Sequence, residues 1–139
     1  MACFEVISRK LAVIKLENGE DVLEGLEREV RKMGISNGVI LAGVGSTTAY
    51  HVHVVKSTGL PPGNVFFKGK NPFDIVSLQG YILNGRVHAH ISLADADRSA
   101  QTGGHLEPGC TVLTFCAITV METSPLGELD KYLIPGIPD

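Results

Sequence analysis

The chain has 139 residues, 44% of them hydrophobic and 19% charged, and its 12 basic and 15 acidic side chains give a net charge of −3. That is one domain's worth of sequence with enough apolar material for a packed core, which excludes an intrinsically disordered chain. The acidic balance works against a general nucleic-acid surface, because that mode needs clustered Lys and Arg to displace counterions from phosphates.

No apolar run approaches the roughly 20 residues that cross a bilayer. The first residues, Met1-Ala2-Cys3-Phe4-Glu5, put an acid where a signal peptide carries basic residues. Cys3, Cys110 and Cys116 are odd in number and lack CxxC spacing, so they read as reduced thiols of a cytoplasmic protein.

In chain order, residues 3–16 read as two short β-runs hinged near Ser8-Arg9-Lys10, and Asn18-Gly19 turns the chain. Residues 20–33 carry Val22, Leu23, Leu26, Val30 and Met33 at three- and four-residue steps, which predicts an amphipathic helix. Glu20 and Asp21 in its first turn and Arg31 and Lys32 in its last suit the helix dipole, and Gly34 is a natural stop. Short strands are expected at residues 38–44, 49–56 and 65–67, then at 74–83 and 86–93. The last two are joined by Asn84-Gly85, whose residue types suit the positive φ angles of a type I′ hairpin. Residues 111–122 form a final strand rich in β-branched residues, and the tail from Ser124 is expected to be irregular apart from residues 126–133. Gly43-Val44-Gly45 lacks the third glycine of a dinucleotide fingerprint and the lysine of a P-loop, so a tight turn is expected there. Ser46 and Thr47 after it are candidates for lining a pocket or an anion site. The whole chain reads as one α+β domain, residues 1–139 with its core over about 10–122. About seven strands form a mostly antiparallel sheet beside one main helix, and self-association would cover its exposed face.

Five histidines carry the chemistry. His88 and His90 lie at i and i+2 of a strand, so both imidazoles share one face while Val87, Ala89 and Ile91 take the other. Gly103-Gly104-His105-Leu106 offers a third imidazole, since paired glycines let the backbone approach closely. Three neutral imidazoles favour zinc or another divalent transition metal over the oxygen-seeking Mg²⁺ and Ca²⁺. The plainer alternative is a solvent-facing polar strand side, because Arg86 and Ser92 share the parity of His88 and His90. His51 and His53 form a second HxH and by default are ordinary strand histidines.

In order along the chain, Gly19-Glu20-Asp21-Val22-Leu23-Glu24, Gly34-Ile35, Gly43-Val44-Gly45-Ser46 and Asp74-Ile75-Val76-Ser77-Leu78-Gln79-Gly80 precede His88-Ala89-His90 and Gly103-Gly104-His105-Leu106. This ordered set resembles the plant- and prokaryote-conserved (PPC) domain, in its stand-alone prokaryotic form, from about residue 10 to residue 121. The resemblance implies an antiparallel α+β domain that forms a homotrimer, with zinc-binding histidines at His88, His90 and His105. It also raises the DNA-binding role attached to plant members, but the Arg-Gly-Arg-Pro element they carry is absent here. The nearest string is Asn84-Gly85-Arg86-Val87, so direct DNA binding is not expected.

Two functions follow. One is a metalloenzyme of unassigned reaction, in which Glu107, or Asp95 or Asp97 in the loop before it, acts as general base beside a metal-bound water. The other is a trimeric protein-interaction or DNA-associated regulatory module in which the metal only fixes a loop. A cupin-like barrel ranks last, because no glutamate follows the HxH at short range and an early helix fits poorly.

Overall fold

A computed structural model of the chain describes residues 3–97, 101–127 and 129. Its elements are β1 (Ser8–Glu17), α1 (Val22–Lys32), β2 (Gly38–Val55), β3 (Asn64–Leu83), β4 (Arg86–Asp95), β5 (Gln101–Leu106) and β6 (Val112–Thr123). The six strands form one antiparallel sheet in the order β1-β6-β2-β3-β4-β5, and β5 returns to pair with β2. Strands β2, β3, β4 and β5 therefore close into a ring. Strands β6 and β5 share one edge of β2, with β6 registered between Gly38 and Thr47 and β5 at Val52 and His53.

Helix α1 lies within its predicted span of residues 20–33, starting two residues later and ending one earlier. The Asp21 side chain caps it by accepting from the Glu24 N–H at 2.9 Å, and Val22, Gly25, Leu26 and Val30 are buried against the sheet. Leu16, Leu26, Ile40, Leu78, Ile82, Ile91, Leu93, Leu106 and Ile118 are fully buried, and each such side chain is worth about 2 kcal/mol in water exclusion. The Asn84-Gly85 turn has φ angles of 52° and 75°, as its hairpin requires.

Two differences from the sequence reading have physical causes. The expected short strands merge, so six strands replace about seven among the described residues. Strand β3 runs straight through Asn71-Pro72 because these two residues fall in a bulge, between the Thr47–Phe73 and Ala49–Lys70 pairs, where a missing N–H costs no ladder bond. Gly43 and Gly45 are strand residues and not a turn: a Cβ on Gly45 would collide with the Phe115 carbonyl oxygen, and one on Gly43 would strike Leu78. The second difference is β5, which occupies a stretch with little strand character in its residues. The expectation for residues 126–133 lies mostly outside the described residues.

Among the described residues, no helix is long and apolar enough to cross a membrane. Cys110 and Cys116 are fully buried and Cys3 is exposed, all as free thiols. Burial pushes the Cys110 thiol up to about 11 and the Cys116 thiol to about 12. At pH 8 a native-state thiol titration should count one fast-reacting cysteine, with all three reacting once the chain is unfolded; a second fast thiol would contradict this burial. The ordinary thiol value is 9.0, so the stability gained from keeping these groups protonated is complete below pH 9 and is lost as pH rises through 11 and 12.

Candidate metal centre

On β4 the side chains of Val87, Ala89, Ile91 and Leu93 enter the core, while His88 is half-buried and His90 exposed on the outward face. His90 stands opposite His105 of β5, and His105 stands opposite His53 of β2, so three strands place one row of histidines side by side. The rings of His53 and His105 stack at 4.3 Å with 23° between planes. His88 meets His105 edge-on at 4.6 Å, with His90 at 5.6 Å from His88 and 5.9 Å from His105. His105 is common to both pairs.

The backbone of β5 reaches this position because it carries glycines. A Cβ on Gly103 would sit 2.5 Å from the Ile91 carbonyl oxygen, and one on Gly104 would sit 2.4 Å from that of His53. No other residue type allows β5 to lie this close between β4 and β2.

Glu107 completes the cluster. Its Oε1 accepts a hydrogen bond from His53 Nδ1 at 2.5 Å and lies 3.3 Å from His105 Nδ1. His53, His105 and Glu107 offer three ligand atoms all within 4.8 Å of one another, a possible metal site. The side chains are 7%, 11% and 19% exposed, and both ring nitrogens of His105 are buried, so these polar groups are shielded from most competing water. Imidazoles with one carboxylate are a donor set suited to zinc and its divalent neighbours.

The segment behind Glu107 is tied down at several points. His51 Nδ1 donates to the Pro108 carbonyl at 2.8 Å, the Glu107 N–H donates to the His51 carbonyl at 3.1 Å, and the Gly109 N–H donates to Asp21 Oδ2 at 2.6 Å. His51 thus positions the chain that carries Glu107, whereas His53 belongs to the cluster, contrary to its default reading as an ordinary strand histidine. The second HxH was the available signal for it. Only the return of β5 to β2 turns that signal into a contact, across more than 50 residues of chain.

The other two acids considered as bases are not brought here. Asp95 lies five residues beyond His90 on β4, about 17 Å along the strand, and lines a separate cavity with Phe73 and Asp74. Asp97 is exposed beyond the end of β4. Ser46 Oγ accepts from the Thr114 N–H at 3.1 Å and shares a hydrogen bond with Thr114 Oγ1, so it ties β2 to β6 within the sheet. Beside the histidines, a groove of about 400 Å³ is lined by Val39, Gln79, Tyr81, His88 and His90.

Residues 5–124, a span that includes every histidine and Glu107, match the family model described as the Plants and Prokaryotes Conserved (PCC) domain. The chain belongs to this family. The PCC domain here is 30% identical over 116 residues to the bifunctional protein GlmU of Synechococcus sp. (strain JA-2-3B'a(2-13)), covering 84% of this chain but only 17% of that protein. It spans about a sixth of the length of the curated relatives it matches. Its fold is similar to that of a metal-containing protein from Archaeoglobus fulgidus, at a TM-score of 0.76 and 22% identity over 90% of this chain and 87% of the other. A plant- and prokaryote-conserved protein from Pyrococcus horikoshii superposes at 0.74 with 21% identity, over 89% and 85%.

Proposed function

We propose that this PCC domain binds one divalent transition-metal ion, zinc in the first instance, through His88, His90 and His105. The observation that carries the reading is the position of His105, in ring contact with both His88 and His53 while Glu107 occupies its Nδ1 side. Two ligands of one tetrahedral zinc at about 2.0 Å are separated by roughly 3.3 Å. The 2.5 Å between His53 Nδ1 and Glu107 Oε1 is therefore a hydrogen bond, and these two atoms as placed are too close to be ligands of one ion. With Oε1 3.3 Å from His105 Nδ1, Glu107 is placed to take up an Nδ1–H when an ion binds Nε2, the usual support behind metal-bound histidines. The metal content of the A. fulgidus relative supports the same reading.

A bound ion would supply Lewis acidity and would bring the pKa of a coordinated water to about 7. The chain's own residues supply the rest. Glu107 and His53 form a hydrogen-bonded pair at the buried side, and Tyr81 and Gln79 wall the groove into which His88 and His90 face.

The same outward face is apolar farther along the sheet, where Leu11, Val13, Val44 and Phe115 are between 40% and 69% exposed. Register places these residues on one surface of β1, β6 and β2, and burial against further copies of the chain would give the homotrimer of this reading. The reading includes no direct DNA contact, in keeping with the net charge of −3.

Elemental analysis tests the metal. Purified wild type should carry close to one ion per chain and His88→Ala/His90→Ala essentially none, whereas equal content would overturn the reading. Light scattering of the same samples should give roughly 44 kDa, three times the 14.8 kDa chain.

A further inference from the structure

A second cavity, of about 460 Å³, lies on the same outward face and is framed by His51, Lys68, Lys70, Ala49, Pro108 and Gly109. We propose that it binds a small oxyanion, the carboxylate or phosphate group of an anionic substrate whose other end reaches the histidine cluster.

The register places the two sites side by side. Phe66 stands opposite His53, Lys68 opposite His51 and Lys70 opposite Ala49, so the cations follow the cluster in successive rows of one sheet face. Each row is about 7 Å from the next, a distance that a short carbon chain spans. Lys70 faces only the small Ala49, and Gly109 beside His51 carries no side chain, which leaves room between the strand and the Pro108 segment.

In a chain of net −3, two lysines on one face of one strand repel each other, and a bound anion relieves that repulsion. Two carboxylates beside the cavity already accept hydrogen bonds. Asp21 accepts the N–H groups of Glu24 and Gly109, and Glu107 accepts from His53. His51 holds Pro108 through Nδ1, which fixes its ring at the cavity wall. Substrate binding at both ends rests on the metal-site reading, whereas the oxyanion site itself does not.

Calorimetric titration with inorganic phosphate and with succinate tests the proposal, on protein as purified, on chelator-treated protein, and on Lys68→Gln/Lys70→Gln. At least one probe should bind wild type saturably with or without metal, and the double variant should bind it roughly tenfold or more weakly, as expected for lost charge-assisted hydrogen bonds. Zinc content and circular dichroism of the variant should match wild type. No binding of either probe to chelated wild type, or undiminished binding by the variant, overturns the proposal. Binding only to the metal-loaded form also overturns it, because the anion would then be on the ion. Zinc content measured on the same samples separates these failures from a failure of the metal reading.

Discussion

Replacing His105 with alanine should strip the domain of its divalent metal while leaving the sheet intact. His105 is in ring contact with His88 and His53 and lies 3.3 Å from Glu107, so its loss leaves neither the His88–His90 pair nor the His53–Glu107 pair able to complete a three-donor site. Mutating a residue that merely supports a ligand costs about 10- to 100-fold in metal affinity, and removing the ligand should cost more. The fold survives because β5 is held by backbone pairing to β4 and β2, and because Leu106, the core residue next to His105, is untouched. Elemental analysis with circular dichroism checks both halves of this result. Glu107→Gln gives the graded comparison: the amide no longer carries the charge that accepts from His53 Nδ1 and faces His105 Nδ1, and affinity should fall within that 10- to 100-fold range without vanishing.

Gly104→Ala should damage stability and metal binding together. Its Cβ would lie 2.4 Å from the His53 carbonyl oxygen and 3.0 Å from Val54 Cγ1, and a backbone φ of +155° adds strain for any L side chain. Strand β5 must then move away from β2, carrying His105 out of its stack on His53. Overpacking of this kind costs about 1–3 kcal/mol, read as a lower urea midpoint at an unchanged slope. Gly59→Ala is the control, because its nearest neighbour, Ser57 Oγ, would be at an ordinary 3.6 Å. If Gly104→Ala kept wild-type stability and metal content, the close β5–β2 approach would not be what forms the site.

What the sequence made legible was local. Helix α1 could be read because its stripe and its stop lie within about 15 residues, although Asp21, expected in the first turn, is the cap before it. The β3–β4 hairpin followed from Asn84-Gly85, and the alternation of β4 put His88 and His90 on the face opposite Val87, Ala89 and Ile91. The glycine pair before His105 pointed correctly to a close approach to the His88–His90 strand, although not to the second approach, to β2.

What stayed hidden depends on contacts between distant segments. Nothing near His53 indicates that β5 will lie against it, because that pairing exists only once four strands have closed into a ring. Glu107 looked like one acid among several until the same closure set its carboxylate on two imidazoles, and Asp95 looked equally eligible until strand rise carried it about 17 Å away. The merging of short strands into β2 and β3 was missed for the same kind of reason. The Gly43-Val44-Gly45 run reads as a turn in isolation and residues 68–73 fall between expected strands, but bulges and close packing against β6 and Leu78 accommodate both stretches in the sheet.

Anomalous scattering at the zinc edge, from crystals of the zinc-loaded domain, locates the ion without any mutation. One strong peak per chain is expected at bonding distance from His105 Nε2, about 2.0–2.1 Å, with nitrogens of His88 and His90 at the same range and Glu107 still on the Nδ1 side. A peak away from His105, or a map with no peak among these histidines, would contradict the metal centre described here.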